Sequence, residues 1–407
     1  MSNVNEVIVT YDINHSNLNK LLFDKDNNYL FVECSNLNNI EFENYYYFIG
    51  YYGSSYQGIF DRYSIDSTRY LVTDEFKDAS AKLVRENLPI HPQVLNDIKK
   101  GKCKLIIDTS NEGYFEYGWD NIYRIFEVDP SSIIWVTGDV NIKKHHLLNY
   151  DFRVVNFWEK VIANNVSENF KLRTICEVYQ NPNNNTFEKT HYCTFYNRRP
   201  RMNRYEMMIE MEYHKLLDDM IWSWGGDVDR NMFDFNEGSK SSLYSMFGPK
   251  YQTAIDNVIS WGNLQSYKPA TENLWENLAI IYNFEHIFNT YYQFVCETFA
   301  DDNCLFLTEK AYKPFIFQQP FVFWGNPHAV SYLKSKGYKT LDKWIDHSYD
   351  SIDNNILRRK TIVEEIKRLN SIPKTQWNNI LMEMADDLTY NFHHLMNTAF
   401  NRDGLIL

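Results

Sequence analysis

The sequence lacks several features that would assign it to a familiar class of protein. Its 407 residues include only 6 cysteines, and no two of them form a C-x-x-C pair. No apolar run reaches the roughly eighteen residues that a membrane-spanning helix needs, and the first residues include neither a basic nor an apolar segment. We therefore expect free, mostly buried thiols, no zinc or other metal site, no membrane partner and a cytoplasmic location.

Common catalytic signatures are missing as well. The chain contains no G-x-x-x-x-G-K-[ST], G-x-G-x-x-G, H-E-x-x-H or G-x-S-x-G sequence. These absences argue against a P-loop NTPase, a dinucleotide oxidoreductase, a zincin and an α/β-hydrolase. The net charge of −12 disfavours binding of nucleic acid over a broad face. A small anionic ligand is still compatible, because one pocket can be positive on a negative surface.

What the sequence does contain is an alternation of apolar strand-like runs and helical patterns. Strands are predicted at 7–11, 29–32, 104–108, 133–137, 192–196, 291–296 and 321–324. Helices are predicted at 119–128, 205–220, 308–317 and 329–336, and from about 375 onward with an apolar stripe of Trp377, Leu381, Met384, Leu388, Phe392 and Leu395. Strand, helix and strand at this spacing indicate parallel sheets with crossover helices.

A domain boundary is predicted between about 160 and 190. The run Gln180-Asn-Pro-Asn-Asn-Asn185 is turn-forming and has no apolar residue. We expect an α/β protein with two Rossmann-like lobes, residues 1–180 and 186–370, with a cleft between them. A long C-terminal helix within 371–407 would pack back across the lobes. Ligands of such sheets bind at the carboxyl ends of the strands.

The first candidate binding segment is Asn197-Arg-Arg-Pro-Arg-Met-Asn-Arg204. It follows a predicted strand and opens a predicted helix, and four of its eight residues are arginines. Guanidinium groups hold phosphate oxygens bidentately, and a helix N-terminus adds N–H donors. The candidate anion-binding residues are Asn197, Arg198, Arg201 and Arg204. The alternative is a solvated basic turn.

The second candidate segment is Thr308-Glu-Lys-Ala-Tyr-Lys-Pro314, which also opens a predicted helix. A carboxylate at Glu309 can accept hydrogen bonds from sugar hydroxyls, and the ammonium of Lys310 can meet a phosphate. The alternative is that Thr308 is a plain N-cap and Lys310 a surface charge.

Three further patterns have plainer interpretations. Asp227-Val-Asp229 follows Trp224-Gly-Gly226 rather than a buried strand, which indicates a polar loop. The pairs His145-His146 and His393-His394 lack metal-ligand spacing. The tyrosine-rich stretch at 45–56 can be an acceptor platform for sugar rings, or a strand with half of its tyrosines in the core.

Residues 190–370 resemble two groups of glycosyltransferases. The segment from Glu297 through Phe323, with its Thr-Glu-Lys, is similar to the donor-binding region of α-1,3-fucosyltransferases, as is the upstream Asn197…Arg204 element. A group of phage-encoded glycosyltransferase-like proteins has the same order of motifs. These continue through Gly325-Asn-Pro327 and Asp346-His-Ser-Tyr-Asp350. Cys296-Glu297-Thr298 departs from the Glu-Asn-Ser of the fucosyltransferases, so the identity of the donor is open.

The resemblance implies a GT-B-like fold with the nucleotide-sugar donor on the C-terminal lobe and the acceptor on the N-terminal lobe. It assigns Arg204 to the donor diphosphate, and Glu309 and Lys310 to the nucleotide sugar. Thr308, Lys313 and Glu297 are further candidates. No cofactor is implied beyond the nucleoside-diphosphate sugar, which is a substrate.

An inverting transfer also needs a base that deprotonates the acceptor hydroxyl. Glu112 is the candidate, because it follows the strand that ends at Asp108 and lies in a Ser-Asn-Glu-Gly turn. Glu116 and Asp108 are the alternatives, and Glu112 can instead complement a helix dipole.

The resemblance thus implies a glycosyltransferase that moves a sugar from a nucleoside-diphosphate sugar to an acceptor hydroxyl. The likeness to fucosyltransferases favours inversion, and retention is the open alternative. The acceptor is a glycan or a hydroxymethylated base in phage DNA. If the chain is phage-encoded, we expect it in the bacterial host cytoplasm. The alternative is a non-catalytic nucleotide- or sugar-binding protein with the same fold.

Overall fold

The chain divides into two compact units. The first comprises the described parts of Met1–Val161 together with Asn303–Phe306, and the second those of Ile162–Asp302 and Leu307–Phe400. The computed structural model describes residues 6–10, 29–50, 73–88, 90–111, 122–145, 149–169, 173–174, 176–177, 188–197, 201–225, 237–261, 263–265, 284–300 and 304–400. Each unit contains one sheet, and the α/β class with two sheets of mainly parallel strands is confirmed.

The first unit contains a six-stranded sheet in which every neighbouring pair is parallel. Its order is β2-β1-β3-β4-β5-β6. The strands are β1 Glu6–Thr10, β2 Tyr29–Glu33, β3 Tyr45–Gly50, β4 Cys103–Thr109, β5 Ile133–Thr137 and β6 Asp151–Val154. The helices are α1 Asp74–Asn87, α2 Pro92–Lys99, α3 Ile122–Phe126, α4 Ile142–His145 and α5 Phe157–Glu168, which continues into the second unit.

Apolar side chains cover both faces of this sheet. Ile107 and Trp135 belong to one buried cluster, and their neighbours Ile106 and Val136 belong to the other. This alternation follows from the two-residue period of a strand and is typical of a parallel sheet buried on both sides. Tyr45 and Tyr47 are in the core, so a strand is the correct interpretation of that part of the tyrosine-rich stretch. Residues 51–56 lie outside the described ranges.

The second unit contains a five-stranded sheet with the order β11-β10-β7-β8-β9. Its strands are β7 His191–Asn197, β8 Met220–Gly225, β9 Asn263–Gln265, β10 Thr290–Cys296 and β11 Phe321–Trp324. Only the β8–β9 pair is antiparallel among these strands. Strand β8 pairs with one edge of β7, and β10 pairs with the other edge of β7. The carboxyl ends of β7 and β10 therefore flank a topological switch point, where open α/β sheets bind ligands.

Eight helices of the second unit lie in the described ranges after β7. They are α6 Met202–Tyr213, α7 Glu237–Phe247, α8 Gln252–Ser260, α9 Phe284–Phe288, α10 Glu309–Ile316, α11 Ala329–Ser335, α12 Asn355–Asn370 and α13 Lys374–Phe400. Helix α13 packs against α10. All six residues of its predicted apolar stripe are buried. No helix in these ranges has the length and apolar content needed to cross a bilayer.

The predicted helix at 205–220 was too long. Helix α6 ends at Tyr213, and Lys215 takes a left-handed conformation with a φ of 56°. The N–H of Leu216 then donates to the carbonyl of Met211, which closes the helix as left-handed C-terminal caps do. Met220, expected on the helix, begins strand β8 instead.

A buried histidine in α9 makes the stability of the second unit depend on pH. Nδ1 of His286 lies 2.7 Å from the hydroxyl of Tyr196. Burial, together with the positive charge of His191, lowers the pKa of His286 from 6.5 to about 4. Between these values the unfolded chain binds a proton at this ring that the folded chain does not bind. The free energy of unfolding must therefore fall as the pH falls through this window.

We expect the wild-type protein to lose up to about 3 kcal/mol more stability than His286→Gln between pH 7 and pH 4. Urea denaturation at several pH values measures the difference. His393→Gln is the control, because His393 is exposed, and its curve should follow the wild type. Parallel curves for the wild type and His286→Gln would contradict the prediction.

Candidate functional site

The candidate site begins at the carboxyl end of β7. Asn197 is the last residue of this strand and is fully buried. Neither its amide nitrogen nor its amide oxygen has a hydrogen-bond partner among the described residues. Buried amides are normally satisfied, so this side chain is suited to receive a ligand. The candidate Arg198 lies outside the described ranges.

Helix α6 starts next to this amide. Its N-cap is Arg201, whose side chain makes no capping hydrogen bond. The guanidinium of Arg201 instead lies over the ring of Phe299, 5.4 Å from the ring centroid. Phe299 follows β10, so this contact connects the beginning of α6 with the segment after the neighbouring strand.

Arg204 and Lys310 both act on the same buried thiol. Arg204, in the first turn of α6, is only 4% exposed, and Cys296 is the last residue of β10. Burial raises the pKa of Cys296 to about 12, while the charges of Arg204 and Lys310 act in the opposite direction. Both charges therefore influence the same thiol at the end of β10, although the two residues are 106 positions apart in the sequence.

Glu297 connects the end of β10 to the beginning of α10. Its side chain is fully buried. Its two oxygens accept hydrogen bonds from the backbone N–H of Thr298 at 3.0 Å, the N–H of Thr308 at 2.9 Å and the hydroxyl of Thr308 at 2.7 Å. Glu297, a candidate ligand residue, thus holds the N-cap of α10 in place.

Thr308 is the N-cap of α10 and its hydroxyl is within 3.4 Å of the N–H of Lys310. The ammonium of Lys310 donates to the Thr308 hydroxyl at 2.9 Å and to Glu309 at 2.8 Å. With 27% of its side chain exposed, Lys310 is partly buried rather than a free surface charge. The N-cap interpretation of Thr308 is correct, and it coexists with an ammonium held at the helix N-terminus.

Glu309 remains ionised although it is deeply placed. Burial raises its pKa, but the charges of Lys310 and Lys313 outweigh burial and lower the pKa to about 2. Burial in turn lowers the pKa of Lys313, against the opposing effect of Glu309. Arg204, Lys310 and Lys313 outnumber the carboxylates of Glu297 and Glu309, so this cluster is formally positive and suits an anion.

Close packing of side chains accounts for the glycine after β11. A Cβ on Gly325 would lie 2.4 Å from the Phe323 ring and 3.1 Å from Cβ of Glu297. The first distance is too short for any side chain, so glycine is required where the ends of β10 and β11 meet.

Some side chains that support the site carry no recognisable sequence signal. The indole N–H of Trp324 donates to the carbonyl of Asn203 at 3.0 Å, and the amide of Asn203 donates to the carbonyl of Glu297 at 3.3 Å. Both contacts join residues that are more than 90 positions apart. A local motif search could not have found them.

The remaining motif of the resemblance, Asp346 to Asp350, has structural partners. The carboxylate of Asp350 accepts hydrogen bonds from the N–H groups of Val330 and Ser331 at 2.9 and 2.8 Å. It therefore caps α11. The hydroxyl of Tyr349 accepts from the N–H of Phe323 at 2.9 Å.

The candidate base Glu112 and its alternative Glu116 lie outside the described residues, as does Asp227-Val-Asp229. The expectation that no buried strand precedes this acidic pair was wrong, because the mostly buried strand β8 ends at Gly225. Asp108 is described. It lies near the carboxyl end of β4, accepts a hydrogen bond from the N–H of Ser110 at 3.0 Å, and has its pKa raised to about 6 by burial.

The histidine pairs are described only in part. Nε2 of His394 lies 2.7 Å from the carbonyl of Lys336, a structural contact. Within the described ranges, no group of three or more His, Cys, Asp or Glu side chains is arranged to hold a metal ion.

Comparison of the chain with protein families, with curated proteins and with solved structures finds no match. The functional argument therefore depends on the geometry of the switch point.

We expect Glu297→Gln to destabilise the protein by about 1–3 kcal/mol, because an amide cannot accept at both positions and leaves a buried donor of Thr298 or Thr308 unsatisfied. Chemical denaturation measures the change. Glu285→Gln, at an exposed position on α9, is the matched control. Equal stability of the two variants would show that Glu297 does not hold the N-cap of α10.

Proposed function

We propose that the protein is a glycosyltransferase that uses a nucleoside-diphosphate sugar. The observation that carries the proposal is that Glu297, at the switch point of the second sheet, contacts the starts of both α6 and α10: Asn203 donates to its carbonyl and Thr308 donates to its carboxylate. Arg204 and Lys310 each lie in the first turn of a helix that follows one of the two central strands. Helix N-termini and cations together form the usual environment of a diphosphate.

The same cluster supplies what the departure of a diphosphate requires. Negative charge builds up on the leaving group as the bond to the sugar breaks, and fixed cations stabilise it. The ionised Glu309 beside Lys310 adds an acceptor for a ribose or sugar hydroxyl. The amide of Asn197, which has no hydrogen-bond partner in the part of the chain that the structure describes, adds both a donor and an acceptor at the same edge. These groups support the assignment of the second unit as the donor domain of a GT-B-like enzyme.

The acceptor base is proposed to belong to the first unit. Glu112 is the candidate from the sequence, and Asp108 is the alternative within the described residues. The pKa of about 6 at Asp108 suits a group that accepts a proton near neutral pH. A base that removes the proton of the acceptor hydroxyl, opposite the departing diphosphate, gives inversion at the sugar.

We expect Arg204→Ala and Lys310→Ala each to weaken the binding of a nucleoside diphosphate by roughly 10- to 100-fold, because each removes a charge-assisted contact to phosphate. A thermal-shift screen of nucleoside diphosphates followed by calorimetric titration measures this. Lys334→Ala is the control, because Lys334 is an exposed lysine of the same unit. Unchanged affinity in both variants with melting temperatures near the wild type would place the diphosphate elsewhere.

The acceptor is tested by incubating the protein with radiolabelled nucleotide sugars, with hydroxymethylated DNA in one arm and cell glycans in the other. Transfer of label to one of them identifies the acceptor class. Nucleotide binding without transfer to either would favour the alternative of a non-catalytic nucleotide- or sugar-binding protein.

A further inference from the structure

A second buried arginine lies behind the candidate site. Arg358, on α12, is 1% exposed. Its guanidinium donates to the carbonyl oxygens of Ile352 at 2.8 Å and Gly325 at 3.1 Å, and also to the carbonyl of Ala300. Ala300 follows β10 and Gly325 follows β11, so one side chain holds the segments after two adjacent strands.

The contacts of Arg358 continue to the two helix N-termini. Its guanidinium lies over the ring of Trp324, 5.2 Å from the centroid. The indole N–H of Trp324 holds the carbonyl of Asn203 in the first turn of α6, and Asn203 holds the carbonyl of Glu297. Glu297 in turn holds Thr308, the N-cap of α10. The chain of contacts therefore runs from Arg358 to the starts of both α6 and α10.

Only an arginine fits this position. Its planar guanidinium offers donors in several fixed directions, whereas a lysine ammonium is a single point with three donors. The carbonyls around Arg358 are buried, and each one that loses its donor carries a desolvation cost. Replacement by lysine keeps the charge but cannot reach carbonyls on three separate segments.

We propose that Arg358 is a positioning residue for the donor site and sets the spacing between the N-termini of α6 and α10. This inference depends on the proposed function. A diphosphate must contact both helix N-termini at once, whereas a monophosphate needs only one of them. Loss of the correct spacing therefore weakens diphosphate binding selectively.

The test compares Arg358→Lys with Arg359→Lys. Arg359 is equally buried, but its guanidinium pairs with Glu206 and Glu210 on α6 instead of the strand-end carbonyls. The affinities for a nucleoside diphosphate and for the matching monophosphate are measured by calorimetry well below the melting temperature. Amide hydrogen exchange of residues 297–300 and of Gly325 and Asn326 is measured without nucleotide.

We expect Arg358→Lys to weaken the diphosphate about tenfold and the monophosphate less than threefold, and to accelerate exchange in both segments. Arg359→Lys should lower the melting temperature while leaving the ratio of the two affinities unchanged. Trp324→Phe keeps an aromatic ring but removes the indole N–H. It should reduce the affinity for the diphosphate relative to the affinity for the monophosphate, and it provides the test if Arg358→Lys does not fold.

The possible failures are distinguishable. If the ratio of diphosphate to monophosphate affinity in Arg358→Lys and in Trp324→Phe equals that of the wild type, the positioning role is overturned and the proposed function is left intact. A wild-type protein that binds no nucleoside diphosphate would overturn the proposed function, and the role of Arg358 with it.

Discussion

The arrangement of the second unit near one edge of its sheet depends on several buried charges. Each of these charges has specific partners. An isolated charge cannot be buried without a large cost, and removal of one partner leaves the other uncompensated. Glu297 accepts hydrogen bonds from Thr298 and Thr308, and the two terminal nitrogens of Arg358 donate to backbone carbonyls. Arg359 is satisfied by Glu206 and Glu210. Glu297 and Arg358 fix the ends of β10 and β11 and the start of α10 relative to one another, whereas Arg359 connects α12 to α6.

Among these firmly held residues, a few polar groups have hydrogen-bonding capacity that a ligand could take up. The amide of Asn197 is buried without a hydrogen-bond partner among the described residues. The ammonium of Lys310 is held by Thr308 and Glu309 but is partly exposed. A polar group that is buried and unsatisfied costs about 1–3 kcal/mol. The combination of a firmly held surrounding and a few available polar atoms is the arrangement expected of a preorganised binding site.

The motifs on which the predicted resemblance to glycosyltransferases depends divide into two kinds. Asp350 and Tyr349 have partners that are explained by folding alone, since Asp350 caps α11 and Tyr349 accepts from the backbone of β11. Lys310 and Glu309 are of the second kind, proposed to contact a ligand, and they form a charged pair at the start of α10. Sequence similarity cannot separate structural caps from ligand contacts, because both use the same polar residue types.

Local sequence determined the elements whose signal is contained within a few residues. Ile133–Thr137 and Phe321–Trp324 form strands with the predicted bounds, because buried parallel strands are short continuous apolar runs. The N-cap at Thr308 is equally local. Strand β8 was missed, because the methionines of α6 continue in helical phase to Met220 and only the left-handed turn at Lys215 ends the helix.

Tertiary structure alone decided how distant residues combine. The pairing of β10 with β7 brings Glu297 next to the end of β7, and the path from Arg358 through Trp324 to Asn203 joins three separate elements. Local propensity acts over neighbouring residues, whereas burial and hydrogen bonding act on whatever the chain brings into contact. The sequence therefore identified which residue types are candidates for the chemistry. The packing of the sheet decided which of them meet.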